Sequence, residues 1–299
     1  MPSHELTFSN DGLDFHGTLL LPDGDGPFPA ALVVSGSGPL DRDANTKKLA
    51  ISTSIQIAQA LAKAGVASFR FDKRGVPPSG GDFPSTGFFD NVSDARAALE
   101  TMRAHQAVDA DRCFGIGHSE GAAIVTELAT DTAGIVLLAG PAQNGRAVLE
   151  WQGKRVAETF PAAVGWIIKL FRIDVSKQQT KQLDKLTAST DDVMKIQFQK
   201  VNAKWFREFL AHDPADTLRG LETPVLAITG DHDIQVDPGD VARIGELVAG
   251  PFEGHVLESV THLLRTEEAE PNLRTYKKQA KEPMAPVVLA LVTDWITRV

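Results

Sequence analysis

Along most of the chain, short continuous apolar runs alternate with stretches in which apolar residues recur every three or four positions. From Glu5 to Leu21 the pattern flips residue by residue around Asn10-Asp11-Gly12, which predicts a β-hairpin. Beyond the turn-rich loop from Pro22 to Pro29, Ala30 to Ser35 predicts a buried strand. Ile51, Ile55, Ala58 and Leu61 mark an amphipathic helix that closes at Gly65. Val66 to Phe71 is a strand, and Val92, Ala95, Leu99 and Met102 mark the next helix. Arg112 to Ile116 predicts a strand leading directly into the small-residue helix pattern from Ala122 to Ala129, and Gly134 to Ala139 a further strand. The alternation resumes late in the chain with strands at Thr223–Thr229 and Val256–Val260. A helix is marked by Val241, Ile244 and Val248, and a C-terminal helix by Val287, Leu291, Trp295 and Ile296. Strands alternating with helices predict an α/β fold: a mostly parallel central sheet covered by helices on both faces.

Residues 143–211 interrupt this rhythm. No strand signal is evident there, and the composition is helical and rich in Lys and Gln. Two apolar clusters stand out: Phe160, Val164, Trp166, Ile167, Ile168, Leu170 and Phe171, then Trp205, Phe206 and Phe209. The expected organisation is one core domain, residues 1–142 and 212–299, carrying a helical insertion at 143–211. The first reading of its aromatics is that they hold the insertion together and dock it on the sheet.

Composition narrows the classes of partner. A chain of 299 residues, 42% hydrophobic, can bury one large core. The single cysteine, Cys113, excludes an internal disulfide framework and a cysteine-based zinc site, and reads as a small buried hydrophobe in a reducing compartment. Met1 to Glu5 carries no basic or apolar leader pattern, and no run approaches the roughly 18 apolar residues of a membrane span. The expectation is a cytoplasmic protein with no membrane partner. A net charge of −9 argues against nucleic acid, whose phosphates need clustered Lys and Arg. The insertion differs, with twelve Lys/Arg against seven Asp/Glu between 145 and 210. That surplus reads as a solvated helix surface, with steering of an anionic substrate as the second reading.

Gly117-His118-Ser119-Glu120-Gly121 joins a strand pattern to a helix pattern. A serine at such a corner is lifted off the sheet toward the first amides of the helix, the setting of a nucleophile elbow. The plain alternative is a glycine-rich turn with an incidental serine. A hydroxyl needs a base, and the base an acid that fixes its tautomer. Both types follow later strands: Asp233 in the turn Gly230-Asp231-His232-Asp233, and His262 after Val260-Thr261. Asp231 is the rival acid, with Asp237 more suited to starting a helix. His255 is the rival base, but it would begin a strand, whereas strand carboxyl ends face ligands in such sheets. Gly115-x-Gly117-x-x-Glu120 lacks the third glycine of a dinucleotide loop, no phosphate loop is present, and the Asp231–Asp237 cluster fails the calcium-loop template at Val236 and Ala242. No cofactor and no metal are expected.

Ser35-Gly36-Ser37-Gly38-Pro39, Asp72-Lys73-Arg74-Gly75, Gly117–Gly121 and Gly230–Asp233 together resemble the α/β-hydrolase superfamily. The resemblance is to its capped bacterial serine esterases on a dienelactone-hydrolase or oligopeptidase-like scaffold, from about residue 15 to 140 and from about 212 onward. It implies the α/β-hydrolase fold, a helical cap at the insertion, and a Ser119-His262-Asp233 triad forming an acyl-enzyme with a small-molecule carboxylic ester. Asp233 matches the family's G-x-x-D spacing. The oxyanion donors are expected to be the Glu120 amide and one amide of the loop after the Ala30 strand. Where the family has His-Gly, this chain has Ser35-Gly36, so the second donor is assigned to Ser37, with Gly38 as the alternative. Arg42 and Arg74 read as braces paired with Asp72 or Asp41, with substrate contact as the alternative. The Glu120 side chain reads as a salt-bridge partner or a polar wall. Lactone, thioester and small-peptide hydrolysis remain open on the same triad, as does a non-catalytic binding protein of the same fold. Oligomeric state is open too, a homo-oligomer included.

Overall fold

A computed structural model describes residues 1–160, 175–196 and 198–299. The alternating N-terminal run forms β1 (Ser3–Asn10) and β2 (Leu13–Leu20), paired antiparallel. Asp11 and Gly12 turn the chain between them with φ of 51° and 73°, the left-handed pair that matches the twist of a two-residue hairpin. There follow β3 (Phe28–Val34), β4 (Ala67–Phe71), β5 (Val108–His118) and β6 (Gly134–Leu138). The insertion contributes β7 (Val193–Ile196) and β8 (Gln199–Asn202), after which come β9 (Val225–His232) and β10 (Phe252–Thr261). The main sheet has the order β1-β2-β4-β3-β5-β6-β9-β10, parallel from β4 onward and antiparallel at its first two pairings. This is the α/β-hydrolase fold class.

Consecutive strand residues point to opposite faces, so a strand buried on both sides must be apolar at every position. Leu32 and Val34, Ile135 and Leu137, and Val225 and Ala227 pack on one face with the helices Phe88–Arg103 and Asp240–Leu247. Ala31 and Val33, Val136 and Leu138, and Leu226 and Ile228 pack on the other with the helices Thr53–Lys63 and Pro286–Arg298. The helix periodicity follows the same rule: Ile57 and Leu61, or Val288, Val292 and Trp295, place one stripe against the sheet. Each such fully buried side chain contributes roughly 1.5–3 kcal/mol.

Within the insertion, Gly145–Glu158, Val175–Thr187 and Ala203–Ala211 are helical. The expectation that this region lacks strands is corrected by β7 and β8, an antiparallel hairpin. Its strands are only four residues long and carry Lys195, Gln199 and Lys200 among their few apolar residues, so the polar composition masks the period-two pattern. Val164, Trp166, Ile167, Ile168, Leu170 and Phe171 lie outside the described residues. Among the described residues no helix is long and apolar enough to cross a membrane.

β3 has β4 on one side and β5 on the other, so the order reverses there. In open α/β sheets a crevice forms at the strand carboxyl ends at such a switch point. The loop after β3 and the corner after β5 both lie at this point.

Candidate active site

β5 ends in His118, and Ser119 stands at the corner before the helix Glu120–Thr126 with φ 57° and ψ −119°. A serine in that region is strained, and its two flanking glycines show what enforces it. A Cβ on Gly117 would lie 2.1 Å from the Gly121 carbonyl oxygen, and one on Gly121 would lie 2.2 Å from the Val34 carbonyl oxygen. Helix start, nucleophile strand and β3 therefore touch backbone to backbone. The Ser119 amide donates to the Leu138 carbonyl at 2.9 Å, which fixes the corner on β6.

Asp233 and His262 meet across the ends of β9 and β10. His262 Nδ1 donates to Asp233 Oδ2 at 2.8 Å, and both side chains are buried. The other carboxylate oxygen accepts the amides of Gln235 (2.7 Å) and Val236 (3.0 Å). An ionised carboxylate can only accept, so Nδ1 carries the proton and Nε2 is left as an acceptor. Asp231, the rival acid, instead accepts the Ser259 amide at 2.7 Å, holding an irregularity in β10 where Ser259 has φ 56°. Asp237 accepts the Gly239 amide and pairs with Arg243. His255 lies inside β10, because that strand starts earlier than expected, and it pairs with Glu253 at 2.9 Å.

The serine corner and the histidine loop are joined by a residue whose role sequence reasoning did not assign. His118 Nε2 donates to the His262 carbonyl at 2.8 Å, with the two rings 5.0 Å apart. Desolvation above all holds the His118 imidazole down at about 3, so it is neutral at ordinary pH. Ser119, His118 and His262 line one cavity of about 180 Å³, together with Leu40, Leu49, Ile51, Leu263 and Tyr276. A second recess of about 50 Å³ has Ser119, Ser37 and Glu120 on one side and Val148, Leu149, Gln152, Trp205 and Phe209 of the insertion on the other. Gln235 links the two, donating to the Tyr276 hydroxyl (3.1 Å) and accepting from Gln152 (3.0 Å). Burial, then the charge of Asp233, push the Tyr276 phenol above its ordinary range. Arg265 is fully buried and donates to the carbonyls of Ile51 (2.6 Å), Leu263 (2.5 Å) and Glu282 (3.1 Å). Its burial lowers the guanidinium to about 10, and its bonds tie the histidine loop to the segment before the helix Thr53–Lys63.

The expected arginine brace is present. Arg42 binds Asp72 through its own amide (2.8 Å) and through its guanidinium (2.6 Å). Arg74 faces Asp94 and Asp11 instead, at 2.7 Å each, and neither arginine lines the cavities beside Ser119. Lys73 between them takes the position nearest the site: its ammonium donates to the Gly36 carbonyl (2.7 Å) and to Glu120 Oε2 (3.0 Å). The motif Asp72–Gly75 was the available signal, but sequence could not tell which of its cations turns inward.

A model of the serine aminopeptidase S33 family matches residues 51–269. The chain belongs to this α/β-hydrolase family. This S33 member is 26% identical over 267 residues to Esterase EstD of Thermotoga maritima, an alignment covering 88% of the chain and 61% of that relative. The chain thus spans about three fifths of the length of the curated relative it matches. Among solved structures it is similar to the α/β hydrolase GrgF from Penicillium sp. sh18, with a TM-score of 0.66, 16% identity, and coverage of 100% of this chain and 99% of that one. It is also similar to Est1E from Butyrivibrio proteoclasticus with bound ferulic acid, with a TM-score of 0.63, 16% identity and coverage of 98% and 96%. The esterase domain of a Rhodothermus marinus protein gives 0.60 at 20% identity, covering 100% and 99%. At these identities the structural likenesses speak for the shared fold.

Proposed function

We propose that this S33 family member is a serine carboxylesterase acting through an acyl-enzyme, with residues 143–211 as a cap over the site. The observation that carries the proposal is His262, held at 2.8 Å on the buried Asp233, in the wall of the same cavity as Ser119, whose backbone is held in a strained turn. His262 Nε2 takes the Ser119 proton as the oxygen attacks the ester carbonyl, and Asp233 stabilises the imidazolium. The resulting oxyanion is bound by the amides of Ser37 and Glu120. His262 then passes its proton to the departing alcohol, and the same histidine activates water to release the acid.

The cavity favours an uncharged acyl group of modest size. A cavity of roughly 150 Å³ can hold benzene, so about 180 Å³ suits one ring or a short aliphatic chain. The family description and the esterase relative point to different substrates, an aminoacyl group or an ester. A free α-ammonium needs a carboxylate to receive it. Among the described residues none of the larger cavity's lining is Asp or Glu, and Glu120 in the smaller recess is engaged by Lys73. This supports the ester.

The test is covalent labelling by a fluorophosphonate probe, expected in the wild type and lost in Ser119→Ala, followed by turnover of p-nitrophenyl acetate and butyrate against aminoacyl anilides. A folded wild type that takes no label would return the chain to the binding-protein reading. Faster cleavage of the anilides would make it an aminopeptidase.

A further inference from the structure

Lys73 and Glu120 form a buried ion pair that the reaction as written does not use, each only 4% exposed. The pair is attached to both peptide groups that the proposed mechanism needs. Lys73 Nζ donates to the Gly36 carbonyl, and that carbonyl belongs to the same planar, trans peptide as the Ser37 amide. Fixing the oxygen of this peptide on one side fixes the direction of its N–H on the other. An ammonium on the oxygen also draws charge out of the peptide, making the N–H a stronger donor. The second contact of Lys73 is the side chain of Glu120, whose own amide is the other proposed donor. One buried cation therefore touches both halves of the proposed oxyanion hole.

The remaining acceptor of this carboxylate is occupied from the insertion. Trp205 Nε1 donates to Glu120 Oε1 at 2.5 Å, and Asn91 Nδ2 donates to the same oxygen at 3.3 Å. Trp205 stands in the first turn of the helix Ala203–Ala211, which is anchored to the core beside it. Asn202 Oδ1 accepts the Trp205 amide (2.9 Å), while its Nδ2 donates to the carbonyls of Thr86 (2.6 Å) and Phe83 (3.0 Å). Glu208 accepts the Phe89 amide, and Lys204 pairs with Asp90.

We infer that Lys73 is a positioning residue that orients the Ser37 and Glu120 amides toward the developing oxyanion, and that Trp205 couples seating of the cap to that orientation through Glu120. The inference rests on the esterase reading and adds to it a route by which the cap acts on the chemistry as well as on the shape of the pocket. Oxyanion-hole donors act mainly in the transition state, so loss of their alignment should lower kcat and leave KM in place.

The experiment compares the full-length wild type with Lys73→Met, Lys73→Met/Glu120→Gln, Lys73→Arg and Trp205→Phe. It uses p-nitrophenyl acetate as substrate and an alkyl trifluoromethyl ketone, which forms a tetrahedral adduct with the serine, as inhibitor. The double variant removes both charges while keeping an acceptor for Trp205, so it carries the test if the single variant, with its carboxylate stranded, does not fold. In the double variant kcat should fall by about 10- to 100-fold with KM within about twofold, and the ketone should bind more weakly by a similar factor. Lys73→Arg should recover most of kcat. Trp205→Phe, which keeps the ring packing and removes only the N–H donor, should lower kcat by about three- to tenfold with the same ketone signature. A folded double variant with kcat and ketone affinity within twofold of wild type overturns the role of Lys73. A Trp205→Phe enzyme that changes KM alone overturns the coupling. A wild type that neither turns over the ester nor takes the fluorophosphonate label defeats the esterase reading itself, an outcome recognisable before any variant is made.

Discussion

At the Ser119 corner, backbone packs on backbone; in the insertion between β6 and β9, side chains do the joining. The flanks of Ser119 allow no Cβ, because carbonyl groups of the elbow helix and of β3 occupy the space. The inserted helices meet the core through side chains: Trp205, Gln152, Glu208 and Lys204 reach polar partners, and Phe209 packs against Phe88. Interiors packed by backbone contact have one arrangement and resist change, whereas contacts made by flexible side chains can be remade. The sheet edge thus forms a rigid frame, whereas the insertion meets it through side chains that can be remade, and of these Trp205 is the one proposed to act on the oxyanion donors through Glu120.

The sharpest test of this contrast lies at the edge itself. Asp233→Asn or His262→Ala should lower kcat/KM for p-nitrophenyl acetate by on the order of 10⁴ with the fold retained by circular dichroism, as expected when the base loses its orientation or is removed. His255→Ala, on the partly exposed Glu253 pair, should stay within about twofold. Comparable losses from His255 and His262 variants would mean that the wrong strand end had been chosen.

In the insertion, Phe209 is buried, stacked 4.7 Å from Trp205 and packed 5.8 Å from Phe88 of the core. Phe209→Ala should cost about 3–5 kcal/mol of stability in urea unfolding and raise KM for the ester more than it lowers kcat. A selective fall in kcat would show that this packing holds Trp205 on Glu120, and the contrast between edge and insertion would narrow to that one side chain.

Two alanine substitutions with nearly equal nominal clashes separate the regions most directly. Gly121→Ala would place its Cβ 2.2 Å from the Val34 carbonyl oxygen, which cannot yield without moving β3. A loss of about 1–3 kcal/mol or more, together with most of the activity, is expected. Gly153→Ala in the helix Gly145–Glu158 would meet Gln179 Oε1 at 2.1 Å, the end of a flexible side chain that can swing away. Thermal melts should find that variant within about 1 kcal/mol of wild type, since removing a helical glycine offsets the displaced contact. Equal destabilisation by both would show the insertion to be as tightly determined as the edge.

A pH-dependent effect concerns His118. Its folded value of about 3 lies below the ordinary 6.5, so between these values the unfolded chain binds more protons than the native one. Native stability should therefore fall as pH drops from 6.5 toward 3. His118→Gln, which keeps a donor for the His262 carbonyl, should show a shallower decline than wild type over that window when unfolding is followed in urea. Parallel pH profiles would remove His118 as a source of acid sensitivity.

The strand and helix alternation was legible because sheet residues buried on both faces must be apolar throughout, and helix stripes must repeat near every fourth residue. The hairpin turn at Asp11-Gly12 and the corner at Ser119 were legible for a related reason: each needs glycine, the first for its left-handed backbone and the second because no Cβ fits beside the serine. Asp233 was separable from Asp231 only by the spacing of a familiar motif until coordinates showed one bonded to His262 and the other to the Ser259 amide. The β7–β8 hairpin escaped notice since four-residue strands with polar side chains carry little periodic signal.

Local chemistry alone thus determined the layered α/β architecture and the glycine-flanked serine at the corner after β5, because these depend on residue type at short range. Tertiary structure alone decided that Lys73 faces inward while its neighbour Arg74 turns to Asp94, that His118 bonds to the His262 carbonyl, and that Trp205 reaches Glu120. A buried polar group takes whatever partner the fold brings within about 3 Å. That distance is fixed by how whole strands and helices pack, which no short stretch of sequence encodes.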